Sequence, residues 1–318
     1  MGIIVEIPGV QTTIQDEGRF GYQQFGVSPA GPMDTRSFHI ANLLVGNQRS
    51  EGVLEMTFNG PTLRFERDNI IAVTGGNLHP KVNGEIIPMY QAILIHAGDL
   101  LSFGMASGNG IRSYLAFAGG LDIPLVMGSK STLMRNQLGG LNGRKLEKDD
   151  RIAFTHPITE LPNMEKRKLI PEVFPRPDVT LRVVIGPQDN LFSEQELRRF
   201  FWYSAEITNE FDRMGCRLKR DEPVKHLYDG NIISDGIAFG SIQVPTNGQP
   251  IIMLADRQST GGYAKIGTVI SADLPKLTQS SPGYQVHFVR VGIQLAQELY
   301  LKQLKEMNIL EAALKHKP

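Results

Sequence analysis

The 318-residue chain has one cysteine, Cys216, and one tryptophan, Trp202. A lone cysteine excludes an internal disulfide and any cysteine-rich zinc site, and Met214-Gly-Cys-Arg217 reads as a small residue packed beside a glycine turn rather than as a nucleophile. An excess of charge of either sign is also missing. Lys and Arg number 33, as do Asp and Glu, so no global field draws in nucleic acid or an acidic membrane. No apolar run approaches the ~18 residues that would span a bilayer. The start, Met1-Gly-Ile-Ile-Val-Glu6, has neither the length nor the charged lead of a signal peptide, and Glu6 breaks the myristoylation pattern. A cytoplasmic location is therefore expected. Familiar catalytic signatures are missing as well. In Gly128-Ser-Lys-Ser-Thr132 a serine separates glycine from lysine, so there is no phosphate loop, and no dinucleotide fingerprint follows a strand. No Gly-x-Ser-x-Gly elbow occurs. The seven histidines, His39, His79, His96, His156, His226, His287 and His316, lack metal-ligand spacing, and no metal ligands are assigned. Nor is there a Met-Lys pair of the kind that carries biotin.

What the chain does have is polar, glycine-rich loops beside apolar strands. In Val244–Tyr263, Asn247-Gly248 marks a turn and Ile251 to Ala255 is a short apolar run suited to a central strand. Asp256, Gln258, Ser259, Thr260, Gly261 and Gly262 follow, more hydrogen-bonding groups than a turn requires, with two glycines that let a ligand approach the backbone. A second such stretch is Gln15-Asp-Glu-Gly-Arg-Phe-Gly21 with Gly26-Val-Ser-Pro-Ala-Gly-Pro-Met-Asp34; it has little to bury and is suited to lining a site. Asp34 then reads as the N-cap of a helix, with Met33 stapled on Phe38, an inward face of Phe38, Ala41, Leu44 and Val45, and a stop at Gly46.

Two halves are expected: a first β-barrel domain over 1–160, a proline- and charge-rich linker over 161–178, and a second β-barrel domain over 179–318 that ends in a helix from about Ile293 to Lys315. Val82-Asn-Gly-Glu85 is a hairpin turn. A turn followed by an alternating strand occurs at Gly98–Phe103, Asp149–Phe154 and Gly283–Phe288, an echo that suggests two related barrels. Val179, Leu181, Val183 and Ile185 share one face of a strand. Ser193-Glu-Gln-Glu196 is a capping box with Phe192 and Leu197 as its staple, ahead of a buried face of Leu197, Phe200 and Phe201. In the last helix Leu295, Leu299, Leu310 and Leu314 share one side. Many short strands and few helices give a mainly β fold.

Read in order, Gln15-Asp-Glu-Gly-Arg19, Gly31-Pro-Met-Asp34, Val73-Thr-Gly-Gly-Asn77, Arg112-Ser-Tyr-Leu-Ala-Phe-Ala-Gly-Gly120, Gly128-Ser-Lys-Ser-Thr132, Gly139-Gly-Leu-Asn-Gly-Arg144, Asp212-Arg-Met-Gly-Cys-Arg-Leu218, Gln243-Val-Pro245 and Gln258-Ser-Thr-Gly-Gly-Tyr263 resemble the allophanate hydrolase subunit 2 family over nearly the whole chain. Departures are small: Ser259 replaces a threonine, Lys130 an arginine, and Pro32 an alanine. The resemblance implies two cyclophilin-like β-barrels. It also implies the work of the C subunit of an ATP-dependent 5-oxoprolinase, hydrolysing 5-oxo-L-proline to L-glutamate with a KipI-like B subunit and an A subunit as partners. Other family members imply alternatives: a KipA-like regulator that sequesters a kinase inhibitor, or a carboxyltransferase subunit acting on urea or another amide. ATP with magnesium, shared with a partner subunit, is the implied cofactor, and a homo-oligomer is left open.

Such a reaction must hold a substrate carboxylate, steady phosphate charge and polarise an amide oxygen. Arginine forks suit the first two tasks and backbone N–H groups in glycine loops the third. Arg19, Arg112, Arg213 and Arg217 are therefore the anion-binding candidates. Gly75-Gly76, Gly119-Gly120 and Gly261-Gly262 are the candidate backbone donors. Asp16 and Asp256 are the carboxylates for magnesium or proton handling, and Gln258 and Thr260 orient the substrate. Asp34, Ser131 and Tyr263 complete the binding candidates. For each arginine the alternative is an ion pair that ties loops together.

Overall fold

The computed structural model describes residues 1–174 and 176–315, so His316 lies outside the described residues. The chain divides into two compact units: unit 1 is residues 1–19, 30–174 and 305–318, and unit 2 is residues 20–29 and 175–304.

Unit 1 holds β1 (Gly2–Ile7), β2 (Gln11–Gln15), β3 (Val53–Thr57), β4 (Thr62–Phe65), β5 (Asn69–Gly75), β6 (Lys81–Val82), β7 (Glu85–Ile86), β8 (Ala92–Ile95), β9 (Leu100–Ser102), β10 (Arg112–Phe117) and β11 (Arg151–Ala153), with helix α1 (Thr35–Leu44). These strands form a sheet in the order β11-β1-β4-β9-β6-β7 and another in the order β2-β3-β10-β5-β8. One core joins the two sheets: Ile3, Val5, Leu63 and Phe65 from the first pack with Ile14, Leu54, Val73 and Phe117 from the second. The other face of the second sheet is covered by α1, whose Phe38, Ala41 and Leu44 meet Val53, Ile70 and Ala116. The Asp34 carboxylate accepts from the Ser37 backbone N–H at 3.0 Å and from its hydroxyl at 2.7 Å, so the expected N-cap is in place. The Val82–Glu85 hairpin also forms as expected, with left-handed Asn83 and Gly84 at its corner.

Unit 2 holds β12 (Asp178–Ile185), helix α2 (Glu194–Trp202), β13 (Ala205–Phe211), β14 (Gly215–Lys219), β15 (Asn231–Gly236), β16 (Ser241–Val244), β17 (Ile251–Met253), β18 (Thr260–Val269), helix α3 (Leu274–Thr278) and β19 (Gln285–Arg290). Its strands run β12-β19-β13-β14-β17-β16-β18-β15, and a further β12–β18 pairing closes the first seven into a ring. Closure leaves those seven no free edge. Alternation then sorts the side chains: Val179, Leu181 and Val183 of β12, Cys216 and Leu218 of β14, Ile242 of β16 and Ile252 of β17 are buried. Cys216 is a packed core residue. Ser193 caps α2 by accepting from the Glu196 N–H at 3.1 Å; Phe200 is buried, whereas Leu197 and Phe201 stay partly exposed.

Three features differ from the sequence reading. The proline-rich stretch from 161 does not run free: Leu161, Met164 and Leu169 pack on the α1 core, and the buried Arg167 guanidinium donates to the carbonyls of Leu43 and Leu44. Burying apolar side chains outweighs the local proline and charge signal there. Helix α4 (Ile293–Lys315) is divided between the units, and its later part packs through Met307, Leu310 and Leu314; Leu295, read as sharing a side with Leu299, Leu310 and Leu314, is 43% exposed. Finally, Thr260, Gly261, Gly262 and Tyr263 are not loop but the start of β18, where β15 pairs Asn231 with Tyr263, Asp235 with Gly261 and Gly236 with Thr260. The three turn-and-strand echoes end in β9, β11 and β19. Among the described residues no helix is long and apolar enough to cross a membrane.

Because the Asp34 cap is fully buried, Asp34→Ala should destabilise the protein by about 2 kcal/mol. A urea titration would show this as a lower midpoint at unchanged slope; an unchanged midpoint would mean the cap is not needed.

Candidate functional site

Most of the residues singled out in unit 1 turn out to build loops. The Asp16 carboxylate accepts from Ser129 Oγ at 2.5 Å, the Lys130 N–H at 2.6 Å, Ser131 Oγ at 2.6 Å and the Gly18 N–H at 2.9 Å. It therefore fastens the 129–131 loop to the end of β2. Arg19 extends the same knot: its Nη2 donates to the Ser131 carbonyl at 2.5 Å, with the side chain 1% exposed. Lys130 reaches Glu51 and the Leu121 carbonyl. Asp16, Arg19 and Ser131 are thus brought together, but facing one another. Arg112 is buried on β10, and its carbonyl accepts from the Gly76 N–H at 2.6 Å.

The glycine pairs of unit 1 do not present open donors. The Gly75 N–H donates to Tyr90 Oη at 3.0 Å, the Gly119 N–H to Asn47 Oδ1 at 2.9 Å, and the Gly120 N–H to the Phe117 carbonyl at 3.0 Å. Gly119 is required by packing: its φ is +75°, and a Cβ there would stand 1.6 Å from the His156 carbonyl oxygen.

In unit 2, Arg213 and Asp256 form a buried, two-pronged ion pair. Nε donates to Oδ2 at 3.0 Å and Nη2 to Oδ1 at 2.8 Å, with the side chains only 3% and 5% exposed. The Asp256 N–H also donates to the Arg213 carbonyl at 2.8 Å. Next to Asp256, the Arg257 guanidinium donates to the Ile237 carbonyl at 2.9 Å, and burial lowers its pKa to about 10. Ser28, from the 20–29 segment of unit 2, donates to the Arg257 carbonyl. Asp16 and Asp256, the two carboxylates expected for magnesium or proton handling, are thus both held by protein donors, an arrangement that suits neither role. Among the described residues no cluster of three or more His, Cys, Asp and Glu could hold a metal.

Of the remaining candidates, Arg217, Gln258 and Tyr263 line a cleft of about 550 Å³ on the outer face of the unit 2 ring. Its walls are the β13–β14 turn, with Phe211, Asp212 and Met214, and the segment with Gln258 and Tyr263; Arg217, Ile251 and Gln243 line it between them. The ladder explains the floor. Arg217 on β14 pairs with Ile251 on β17, which pairs with Gln243 on β16, so the three side chains leave one face of the sheet in a row. Arg217 is 52% exposed and paired at 2.9 Å with the still more exposed Glu210, a bond weak enough to yield to a ligand anion. Tyr263 is 39% exposed, Gln258 half-buried and Thr260 exposed nearby on β18. Gly262 has room above it, with its nearest contact for a Cβ at 3.5 Å. Concave, partly apolar and ringed by a few polar groups, the cleft is the candidate site. Gln243, of the Gln243-Val-Pro245 motif, is not among the sequence candidates; its signal is a glutamine between Ile242 and Val244, in what is a fully buried strand.

The family of carboxyltransferase domains, subdomains A and B, matches residues 25–290. The chain is 35% identical over 302 residues to the C subunit of 5-oxoprolinase from Escherichia coli (strain K12), covering 93% of this chain and 95% of that one. It is 33% identical over 327 residues to a urea amidolyase from Lachancea kluyveri, covering 96% of this chain but 18% of that protein. The crystal structure of the Kluyveromyces lactis urea carboxylase superposes with a TM-score of 0.89 at 32% identity, over 97% of this chain and 29% of that one.

Arg213→Ala would leave Asp256 buried without its guanidinium, and should cost about 3–5 kcal/mol of stability. Arg213→Lys, which keeps the charge but not the fork, should cost less. Chemical denaturation checks both; a variant as stable as the parent would remove the pair from the scaffold of the cleft.

Proposed function

The chain belongs to the family of carboxyltransferase domains with subdomains A and B, and from that premise we propose that it is the C subunit of an ATP-dependent 5-oxoprolinase. The observation that carries this reading is the 35% identity over 302 residues to the 5-oxoprolinase C subunit of E. coli. In this reading the chain acts with B and A partner subunits to open 5-oxo-L-proline to L-glutamate. The lactam carbonyl is resonance-stabilised and resists water. ATP, as co-substrate of the assembled complex, phosphorylates the amide oxygen and leaves as ADP. One water then adds to the activated carbon and the C–N bond breaks, giving an acyl phosphate and a free amine. A second water hydrolyses the acyl phosphate to glutamate and phosphate. Asp16 and Asp256 are given no part in this chemistry, because both are already fully engaged by donors of the protein. The cleft of unit 2 is the part of this chain proposed to meet the substrate, with Arg217 facing its carboxylate.

A second reading, carboxyl transfer to urea or another amide, draws on the structural likeness to the K. lactis urea carboxylase. Both readings share an amide substrate and differ in what activates it.

Mixing this chain with B and A subunits should convert 5-oxoproline to glutamate only when ATP is present, and omitting this chain should abolish the conversion. Glutamate formed equally well without the chain, or none with all three subunits, would contradict the reading.

A further inference from the structure

Gln243 is 2% exposed, and among the described residues its Nε2 has no hydrogen-bond partner. Its backbone is satisfied in the ladder, paired with Ile251 on one side and Lys265 on the other, so the side-chain Nε2 is what is left over. Buried amides find partners as a rule, and one that lines a cleft without a partner points to a ligand. The neighbouring backbone is cut back to make room for it. A Cβ on Gly261 would lie 2.6 Å from Gln243 Nε2 and 3.1 Å from Gln258 Nε2, so two carboxamides converge on a residue that has no side chain. Arg217 stands two strands away on the same face, roughly 10 Å across the sheet, with exposed Glu210 as its ion-pair partner.

We propose that Gln243 reads a cis amide bound in this cleft, with Arg217 taking a carboxylate on the same ligand. A primary carboxamide presents its N–H and its C=O on one edge. A lactam ring, in which the amide is forced cis, offers the complementary C=O and N–H edge, so the two can join by a pair of hydrogen bonds. An open-chain secondary amide, held trans, offers its two groups on opposite sides and cannot do this. Gln258 faces the same point and closes the other side. The ligand class is thus a small lactam carboxylate, and Arg217 separates it from neutral lactams. The assignment rests on the oxoprolinase reading for the identity of the ligand, but its geometry does not.

The test is calorimetric titration of the whole chain with 5-oxoproline and with 2-pyrrolidinone, the same lactam without the carboxylate. Both should bind the parent protein, and Gln243→Leu should weaken both by about tenfold or more. Arg217→Ser should weaken 5-oxoproline alone. Gln243→Leu should unfold at the same temperature as the parent or higher, because it removes an unpaired buried donor, and this separates lost binding from lost folding. Absence of binding to the parent, or unchanged binding in Gln243→Leu, would overturn the assignment. In the reconstituted complex the two ideas come apart. Turnover with an unaltered KM in Gln243→Leu would defeat the assignment and leave the oxoprolinase reading standing. Gln243-dependent lactam binding without turnover would do the reverse.

Discussion

The buried Arg213–Asp256 ion pair is the constraint around which unit 2 is organised. It fastens the turn between β13 and β14 to the segment between β17 and β18, and these are the two walls of the cleft. Backbone bonds from Asp256 to Arg213 and from Leu254 to Met214 run beside it. A two-pronged guanidinium–carboxylate bond fixes direction as well as distance, so the walls are held at a set spacing over the Arg217–Ile251–Gln243 row. Two charges removed from water tolerate the loss of neither partner. The pair is therefore a scaffold for the site rather than a member of it.

Unit 1 solves a similar problem with Asp16. There a carboxylate accepts two hydroxyls and two backbone N–H groups and so locks a glycine- and serine-rich loop in place, with Arg19 bound to a carbonyl of the same loop. In both units, charged residues set in polar loops hold those loops still. The group left able to meet an anion is Arg217, on the outer face of a strand with an exposed partner.

That division of labour sets how much was legible in the sequence. Elements governed by local chemistry were readable: the Asp34 and Ser193 caps, the Asn83-Gly84 hairpin, the alternation of Val179, Leu181 and Val183, and the helix to Lys315. Whether a polar residue faces a ligand or another loop depends on partners far away in the chain, as Asp16 and Ser131 do across 115 positions. Composition could not show that the Gly75, Gly119 and Gly120 N–H groups were already taken. Nor could it show that Thr260–Tyr263 would be drawn into β18, because β15, the strand that pairs with it, is almost wholly exposed and lacks the alternation of a packed strand. Gln258, Arg217 and Tyr263 are legible because they sit in conspicuous motifs; Gln243 carries only the faint signal of a polar residue between Ile242 and Val244, which gains meaning from its unpartnered Nε2.

The account turns on whether the unit 2 cleft is where this chain meets a small amide. Side-chain ¹⁵N NMR during titration with 5-oxoproline tests that most directly. The Gln243 and Gln258 carboxamides and the Arg217 Nε should shift together along one binding curve, while the Arg19 guanidinium, locked in the Asp16 knot, stays in place. Shifts confined to Arg19 and its loop, with the two glutamines silent, would contradict it.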